Sequence, residues 1–154
     1  MKFLVTVGTT PFDSLIKVAD ELAQKYKDFD FISQTSNGEY EAEFHFCFKF
    51  KKDILNTYSD RIVITHCGAG TIYQLLELRV PFIAVPNLER VDIHQREMAN
   101  FLDQEGLSIV CYSPEGLFDI FEEKQWENFL PKPYLKDPFF STPEIMAIVD
   151  RFKT

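Results

Sequence analysis

The chain has 154 residues, of which 45% are apolar, and it carries 16 basic against 24 acidic side chains. This length and apolar content predict one domain with a substantial core. The formal net charge of -8 excludes a surface that tracks nucleic-acid phosphates and disfavours direct docking on an anionic membrane. No uncharged stretch reaches the roughly 20 apolar residues that a membrane span requires.

The amino terminus and the cysteines indicate a reducing compartment. The first eight residues lack the long apolar centre and small-residue cleavage site of a secretory signal, so they predict a buried strand. Cys47, Cys67 and Cys111 are odd in number and show no C-x-x-C spacing, which indicates neither a disulfide framework nor a zinc site. We therefore expect a cytoplasmic protein without a bound metal.

Apolar runs of strand length alternate with stretches of helical period, a pattern typical of a parallel sheet wrapped by helices. The predicted strands span residues 3–7, 29–33, 44–50, 62–65, 82–85 and 107–111. The predicted helices span residues 12–23, 54–58, 71–78, 93–104 and 144–152. The expected fold class is α/β, with a Rossmann-like parallel sheet flanked by helices.

The end of the chain is less regular than the rest. Five prolines interrupt the pattern after Ser113, so we divide the chain into residues 1–112, the Rossmann-like part, and residues 113–154, an irregular and helical tail of the same domain. Many of the 16 phenylalanines cluster between Phe29 and Phe50 and after Phe118. This aromatic surplus predicts some surface that faces a partner, with the tail as the docking segment.

Two glycine-containing loops each follow a predicted strand and open a helix. In an open parallel sheet such loops lie at the carboxyl edge, where ligands bind. A helix N-terminus offers unpaired N–H groups and a partial positive charge, and glycine lets the backbone approach a phosphate closely. We predict a diphosphate cradle formed by Gly68, Ala69, Gly70 and Thr71. The structural alternative is a tight turn in which Thr71 and Gln74 form a capping box.

The residue type at position 73 tests two known sequence motifs, one catalytic and one for dinucleotide binding. His66-Cys67 before a glycine-rich turn suggests a phosphatase loop, which places an arginine at position 73, and a dinucleotide fingerprint needs a glycine there. The residue is Tyr73, so both motifs are disfavoured and Cys67 is expected to be a packing residue.

A second polar group follows the next predicted strand. It consists of Asn87, Asp92, His94 and Gln95, whose donors and acceptors suit sugar hydroxyls at the start of a helix. For Asp92, a plain N-cap is an equally good interpretation. Because both loops follow parallel strands, we expect them to meet at one edge of the sheet.

Together these segments resemble a known family. Residues Ser59 to Ile72, followed by Pro81 to Asn87 and Asp92-Ile93-His94-Gln95, resemble the C-terminal, donor-binding domain of family 28 glycosyltransferases. The opening segment from Val5 to Asp13 is most similar to the single-domain members, of the PssE or EpsF type in bacteria and Alg13 in eukaryotes. The resemblance covers about residues 1–111 and implies half of a GT-B fold, with residues 1–112 as a nucleotide-sugar-binding domain.

The resemblance also implies a set of site residues and no cofactor or metal. The glycine-rich loop would hold the diphosphate of a UDP-sugar, His94 and Gln95 would read the donor sugar, and Gln74 would replace the usual glutamate on the ribose. Ile93 stands where asparagine is common, and Gln34-Thr35-Ser36 where a Gln-x-Gly turn is common. The predicted UDP-sugar site comprises Gly8, Thr9, Thr10, His66, Gly68, Ala69, Gly70, Thr71, Gln74, Asn87, Asp92, His94 and Gln95.

Within that set, a turn role for Thr9 and Thr10 and a core role for His66 remain alternatives. The sequence contains no convincing general base, and His66 and Asp13 are the weak candidates for a catalytic role.

The resemblance finally implies half an enzyme. Sugar transfer needs a cleft with two walls, and one domain of this size supplies one of them. The expected function is the donor-binding catalytic subunit of a two-chain inverting glycosyltransferase, which transfers a sugar from a UDP-sugar to a lipid-linked acceptor in polysaccharide biosynthesis. Its partner would be a membrane-anchored subunit of the PssD, EpsE or Alg14 kind, which would hold it at the inner face of the membrane. A non-catalytic nucleotide-sugar sensor and an interaction protein with a decayed pocket are the alternatives.

Overall fold

Six parallel strands form one sheet in the computed structural model, which describes residues 1–91 and 93–135. The strands are β1 (Lys2–Thr6), β2 (Asp30–Gln34), β3 (Phe46–Phe48), β4 (Ile62–Thr65), β5 (Phe82–Ala84) and β6 (Ile109–Val110). Their order is β3-β2-β1-β4-β5-β6, and every neighbouring pair is parallel. This is the strand order of a doubly wound Rossmann-like sheet, so the predicted fold class is confirmed.

Helices cover both faces of this sheet. They are α1 (Asp13–Lys25), α2 (Ile54–Thr57), α3 (Ala69–Leu78), α4 (His94–Gln104), α5 (Leu117–Glu123) and α6 (Gln125–Asn128), with a 3-10 turn at Pro114–Gly116. Side chains of β1 alternate between the two layers, since Phe3 packs with α1 and α5 whereas Leu4 packs with α3 and α4. The predicted helix 144–152 lies outside the described residues. Across residues 1–91 and 93–135, the search for a membrane-spanning helix finds none of sufficient length and apolarity.

Much of the aromatic surplus packs inside the domain. The Phe121 ring lies 4.8 Å from the Phe3 ring and 4.7 Å from the Trp126 ring, and Phe121 is fully buried. Residues 113–129 therefore contribute to the core, and the docking role of residues 113–154 remains a prediction. Among the described residues, exposed phenylalanine is found near the β3 edge of the sheet, where Phe46 and Phe50 are more than half exposed.

A buried polar network ties the segment before β3 to α1. The Asp20 carboxylate accepts hydrogen bonds from the Tyr40 hydroxyl, the Glu43 and Phe44 amides and the His45 ring. His45 Nε2 lies 2.7 Å from Ser33 Oγ, which completes a Ser-His-Asp arrangement. Because Ser33 is completely buried, no substrate reaches it, and the network acts as a structural tie.

Candidate functional site

Three loops meet at the carboxyl edge of the sheet. They follow β1, β4 and β5, and the strand order places the β4 loop between the other two. The predicted site residues on these loops are thus brought to one cleft, as expected for parallel strands. Asp92 lies outside the described residues.

The β4 loop leads directly into the N-terminus of α3. Gly68 is the N-cap residue with an extended backbone (φ -73°, ψ 128°), and the Ile72 amide makes the first helical bond, 3.0 Å from the Gly68 carbonyl oxygen. Within residues 1–91 and 93–135, no group accepts a hydrogen bond from the four amides of Gly68 to Thr71. No side chain caps this helix, so the alternative of a Thr71–Gln74 capping box is wrong. The amides and the positive end of the helix dipole are available to an anion.

The His66 ring lies between the two glycine loops. A Cβ atom added to Gly8 or Gly68 would overlap the imidazole, and Gly8 also has a left-handed backbone with φ +69°. His66 Nδ1 lies 3.3 Å from Thr65 Oγ1, whose proton is donated to the Thr6 carbonyl oxygen at 3.1 Å. This network assigns the ring proton to Nδ1 and leaves Nε2 facing the glycines. The absence of a side chain at Gly8 and Gly68 therefore makes room for the His66 ring.

Burial controls the protonation of both residues at the end of β4. It lowers the pKa of His66 to about 4, aided by the positive charge of Arg90 and opposed by a hydrogen bond to the Thr6 backbone. The imidazole is therefore neutral at pH 7. Burial raises the pKa of the Cys67 thiol well above its usual range, so Cys67 is not a thiolate nucleophile. This agrees with the exclusion of a phosphatase loop at position 73.

Gln95 and Asn87 lie at the cleft, but their side chains form hydrogen bonds within the protein. The buried Gln95 Oε1 accepts hydrogen bonds from the Cys67 amide at 3.1 Å and the Asn87 amide at 2.8 Å. Asn87 is 2% exposed, donates to the Pro11 carbonyl oxygen and accepts from the Glu89 amide. Asn87 thus holds the β5 loop against the β1 loop, and its contact with a donor stays a prediction. The Gln95 oxygen has the same positioning role.

Arg90 lies beside the predicted site residues, and the sequence analysis did not single it out. Its Nη1 donates to Thr10 Oγ1 at 2.9 Å, and so it spans from the β5 loop to the β1 loop. The strand order places β4 between the two strands whose loops this hydrogen bond joins. The sequence did contain a signal for this residue. Arg90 is a basic side chain in an acidic protein, and it lies between Asn87 and His94, on a loop that the sequence analysis assigns to the site.

Three of the remaining predicted contacts are exposed to solvent. Gln74 is exposed on α3, and His94 is exposed at the start of α4 with Nδ1 3.5 Å from Glu97 Oε2. Thr9 is exposed, and its carbonyl oxygen accepts a hydrogen bond from Ser36 Oγ at 2.9 Å. Ser36 has a left-handed backbone with φ 56°, the conformation that explains why glycine is common at this position of the turn.

Asp13, a weak candidate for a catalytic role, makes a structural contact. Its carboxylate accepts a hydrogen bond from the Glu39 amide at 3.1 Å and lies against Gly38. It thereby holds the loop that follows β2 against the start of α1, on the side of β1 away from β4.

Comparisons with known proteins agree with this geometry. Residues 3–123 match the family model described as glycosyltransferase family 28 C-terminal domain. Over 121 residues the chain is 33% identical to the human UDP-N-acetylglucosamine transferase subunit ALG13. This alignment covers 70% of this chain and 11% of the relative. It is 28% identical over 149 residues to the Pelagibacter ubique UDP-N-acetylglucosamine--N-acetylmuramyl-(pentapeptide) pyrophosphoryl-undecaprenol N-acetylglucosamine transferase, covering 84% of this chain and 41% of that enzyme.

A solved structure has the same fold. The NMR solution structure of ALG13 superposes with a TM-score of 0.62 at 22% identity, covering 99% of this chain and 96% of that one. The chain spans less than half the length of the curated relatives that it matches. The family match also extends to residue 123, beyond the predicted boundary at residue 112 and into α5.

Proposed function

Because the chain belongs to the glycosyltransferase family 28 C-terminal domain family, we propose that it is the donor-binding subunit of a two-chain glycosyltransferase. The observation that carries this proposal is the unpaired N-terminus of α3, where the amides of Gly68 to Thr71 lack acceptors among the described residues. Oriented amides and a helix dipole bind the diphosphate of a nucleotide sugar without requiring a lysine, which suits an acidic chain.

The proposed chemistry is electrostatic stabilisation of the leaving group. As the bond from the sugar to the diphosphate breaks, negative charge grows on the phosphate oxygens, and fixed N–H donors stabilise it most at that stage. Arg90 adds a charge-assisted donor from the opposite loop. A diphosphate beside the neutral His66 would raise the pKa of its ring, so that Nε2 takes up a proton and donates to a phosphate oxygen.

We propose UDP-N-acetylglucosamine as the donor. The two curated relatives described above carry this donor or the transferred N-acetylglucosamine in their names. In this chain the ribose would meet the exposed Gln74, and the sugar would meet His94 and the Gln95 amide nitrogen at the start of α4. Gln74 offers one donor and one acceptor where a glutamate is usual, and it therefore predicts a weaker ribose contact.

Two acidic residues that the structure describes beside the β1 and β5 loops are already engaged, which supports a second chain as the source of the general base. Asp13 accepts from the Glu39 amide, and Glu89 Oε1 lies 2.6 Å from Ser14 Oγ. We propose that a membrane-anchored partner supplies the general base and the site for a lipid-linked acceptor, and that it holds this chain at the membrane. The human relative is itself named a subunit.

Nucleotide binding is the first test. Calorimetry with UDP, UDP-glucose and UDP-N-acetylglucosamine should show weak binding by wild-type protein, with preference for the N-acetylated sugar. Gly70→Trp places an indole in the cradle and should abolish binding. Gln104→Trp introduces the same indole at the exposed far end of α4 and should leave binding intact. Unchanged UDP binding by Gly70→Trp would reject the cradle.

Transfer is the second test, and it separates a catalytic subunit from a nucleotide-sugar sensor. The chain is co-expressed with membrane-anchored candidates, co-purified, and assayed for transfer of labelled sugar to lipid-linked acceptors. A catalytic subunit transfers sugar only with its partner. A sensor binds the UDP-sugar tightly by itself and transfers none in any pairing, and rapid transfer by the single chain would contradict the two-chain proposal.

A further inference from the structure

An exposed row of aromatic rings lies at the β3 edge of the sheet. β3 is the last strand on this side, so its outer backbone groups have no strand partner among the described residues. Phe46 is 64% exposed and Phe50 is 68% exposed. The Phe46 ring lies 5.9 Å from the Phe48 ring, which lies 6.3 Å from the Tyr58 ring. Packing on this row holds the exposed Phe46 ring against the domain.

Three lysines follow this strand directly. Lys49, Lys51 and Lys52 are exposed, and none of them forms an ion pair within the described ranges. The nearest acidic residues in the sequence are Glu43 and Asp53, one on each side, and the segment that they enclose keeps a net positive charge. The net charge of -8 disfavours membrane docking of the chain as a whole. Salt screens charges beyond roughly 8 Å, however, so the local charge determines what this surface attracts.

Exposed aromatic rings beside lysines suit the surface of an anionic bilayer. Aromatic rings bind at the boundary between headgroups and acyl chains, and ammonium groups are attracted to the lipid phosphates. A second copy of this chain suits the surface less well. Pairing two β3 edges would bring two sets of three lysines to one interface, and lysine on an edge strand opposes such pairing. The charge therefore favours a lipid surface as the occupant.

We infer that the β3 edge binds an anionic lipid bilayer directly, through Phe46, Phe50 and the three lysines. This contact would add to the one made by a membrane-anchored partner.

The topology gives such a contact a consequence for the cleft. All six strands are parallel, so the carboxyl end of β3 lies at the same edge of the sheet as the β1, β4 and β5 loops. A bilayer bound at residues 49–52 would therefore lie near the edge that carries the cleft. This consequence rests on the proposed function, since it brings the cleft toward a lipid-linked acceptor. Binding to lipid does not itself depend on the nucleotide cradle.

Vesicle sedimentation tests the inference. The full chain is mixed with vesicles of phosphatidylcholine alone, or of phosphatidylcholine with about 30% phosphatidylglycerol, and binding should be at least about tenfold tighter to the anionic vesicles. Each lysine near an anionic surface contributes about fivefold in affinity, so joint replacement of Lys49, Lys51 and Lys52 by glutamine should weaken binding at least about 20-fold. Joint replacement of the exposed Lys17, Lys27 and Lys132 by glutamine changes the net charge equally and should change binding less than about twofold.

The aromatic contact is tested separately. Phe46→Gln should weaken binding to the anionic vesicles about fivefold, whereas Leu130→Gln, at a leucine that is 89% exposed, should not change it. The fluorescence of Phe46→Trp should shift to shorter wavelength on these vesicles and be quenched by brominated lipid. Wild type, whose only tryptophan is Trp126, should show neither change. UDP affinity should be unaltered in all these variants, so a failed cradle and a failed lipid surface give different results.

Three results would overturn the inference. The first is wild-type protein that binds neither kind of vesicle or binds both equally. The second is a folded triple variant of Lys49, Lys51 and Lys52 that binds as wild type does. The third is a dimer that Phe46→Gln abolishes while vesicles remain unbound, which would assign the β3 edge to a second copy.

Discussion

The side-chain oxygen of Gln95 lies 2.8 Å from the backbone nitrogen of Asn87 and accepts its hydrogen bond. The same oxygen lies 3.1 Å from the Cys67 amide. One residue of α4 therefore ties the β5 loop to the β4 loop, at the point where α3 begins. Since the cradle depends on the position of the α3 N-terminus, Gln95 acts on a ligand through the backbone as well as by contact.

Replacing Gln95 by leucine should destabilise the fold. Two buried amides would lose their acceptor, and at about 1–3 kcal/mol for each unpaired group we expect a loss of about 2–6 kcal/mol in the free energy of unfolding. Urea denaturation measures this. Gln74→Leu, at an exposed position of α3, is the matched control and should change stability by less than about 0.5 kcal/mol. Equal effects of the two variants would show that the tie contributes little.

Gly68→Ala should be costly only while the His66 ring is present. The added Cβ would overlap His66 Nε2, and such overpacking costs about 1–3 kcal/mol. In a His66→Ala background the same change should cost less than about 0.5 kcal/mol, because the ring has gone. A double-mutant cycle by urea denaturation gives the coupling energy. If Gly68→Ala costs the same in both backgrounds, glycine is required here for another reason.

The bounds of a strand could be predicted closely from sequence where neighbouring residues alone determine where it begins and ends. Strand β4 is found at the predicted residues 62–65, where an apolar run passes directly into a glycine turn. Strand β3 is shorter than the predicted 44–50, because the Phe44 amide and the His45 ring bond Asp20 on α1. Strand β6 begins two residues late, because the Leu107 amide closes α4 on the Leu102 carbonyl.

Some features of the candidate site could likewise be predicted from the sequence, and others could not. That the β1, β4 and β5 loops share one edge follows from parallel strands, and the sequence predicts it. Which polar atoms remain for a ligand depends on contacts between distant segments, such as Asn87 with Pro11 or Arg90 with Thr10. No periodicity or spacing encodes these contacts, so the use of Asn87 and the position of Arg90 required the structure.

Stability should fall on acidification because of His66. Burial lowers its pKa to about 4 from 6.5, so between these values the unfolded chain binds more protons than the folded one. The stabilisation is complete above pH 6.5 and is lost as the pH falls toward 4, with about 2 kcal/mol lost between pH 7 and 5. Urea denaturation at several pH values should show this slope, and it should be shallower in His66→Gln. If stability falls equally steeply with pH in wild type and His66→Gln, a group other than His66 is responsible.

Asp20 should control stability at lower pH. Burial alone would raise its pKa, but hydrogen bonds from the Glu43 and Phe44 amides, His45 and Tyr40 outweigh burial and lower it below 3.8. The stabilisation by this carboxylate is present above pH 3.8 and is lost as the pH falls through the lowered pKa. Asp20→Asn should cost about 2–3 kcal/mol at pH 7 and flatten this acid limb. Asp28→Asn, at an exposed aspartate, should do neither.

Arg90 should affect nucleotide affinity much more than stability. It is exposed and bonds Thr10 across the cleft, so Arg90→Gln should weaken UDP binding about fivefold and leave urea denaturation unchanged. Added salt should weaken wild-type binding more than variant binding, because the lost contact is ionic. Arg96→Gln removes an exposed arginine from α4 and should retain wild-type affinity.

The same Arg90 charge lowers the pKa of His66, so Arg90→Gln should raise that pKa, as measured from the imidazole resonances. If Arg90→Gln shifts the His66 titration but leaves UDP affinity unchanged, Arg90 lies near the cradle without contacting the diphosphate.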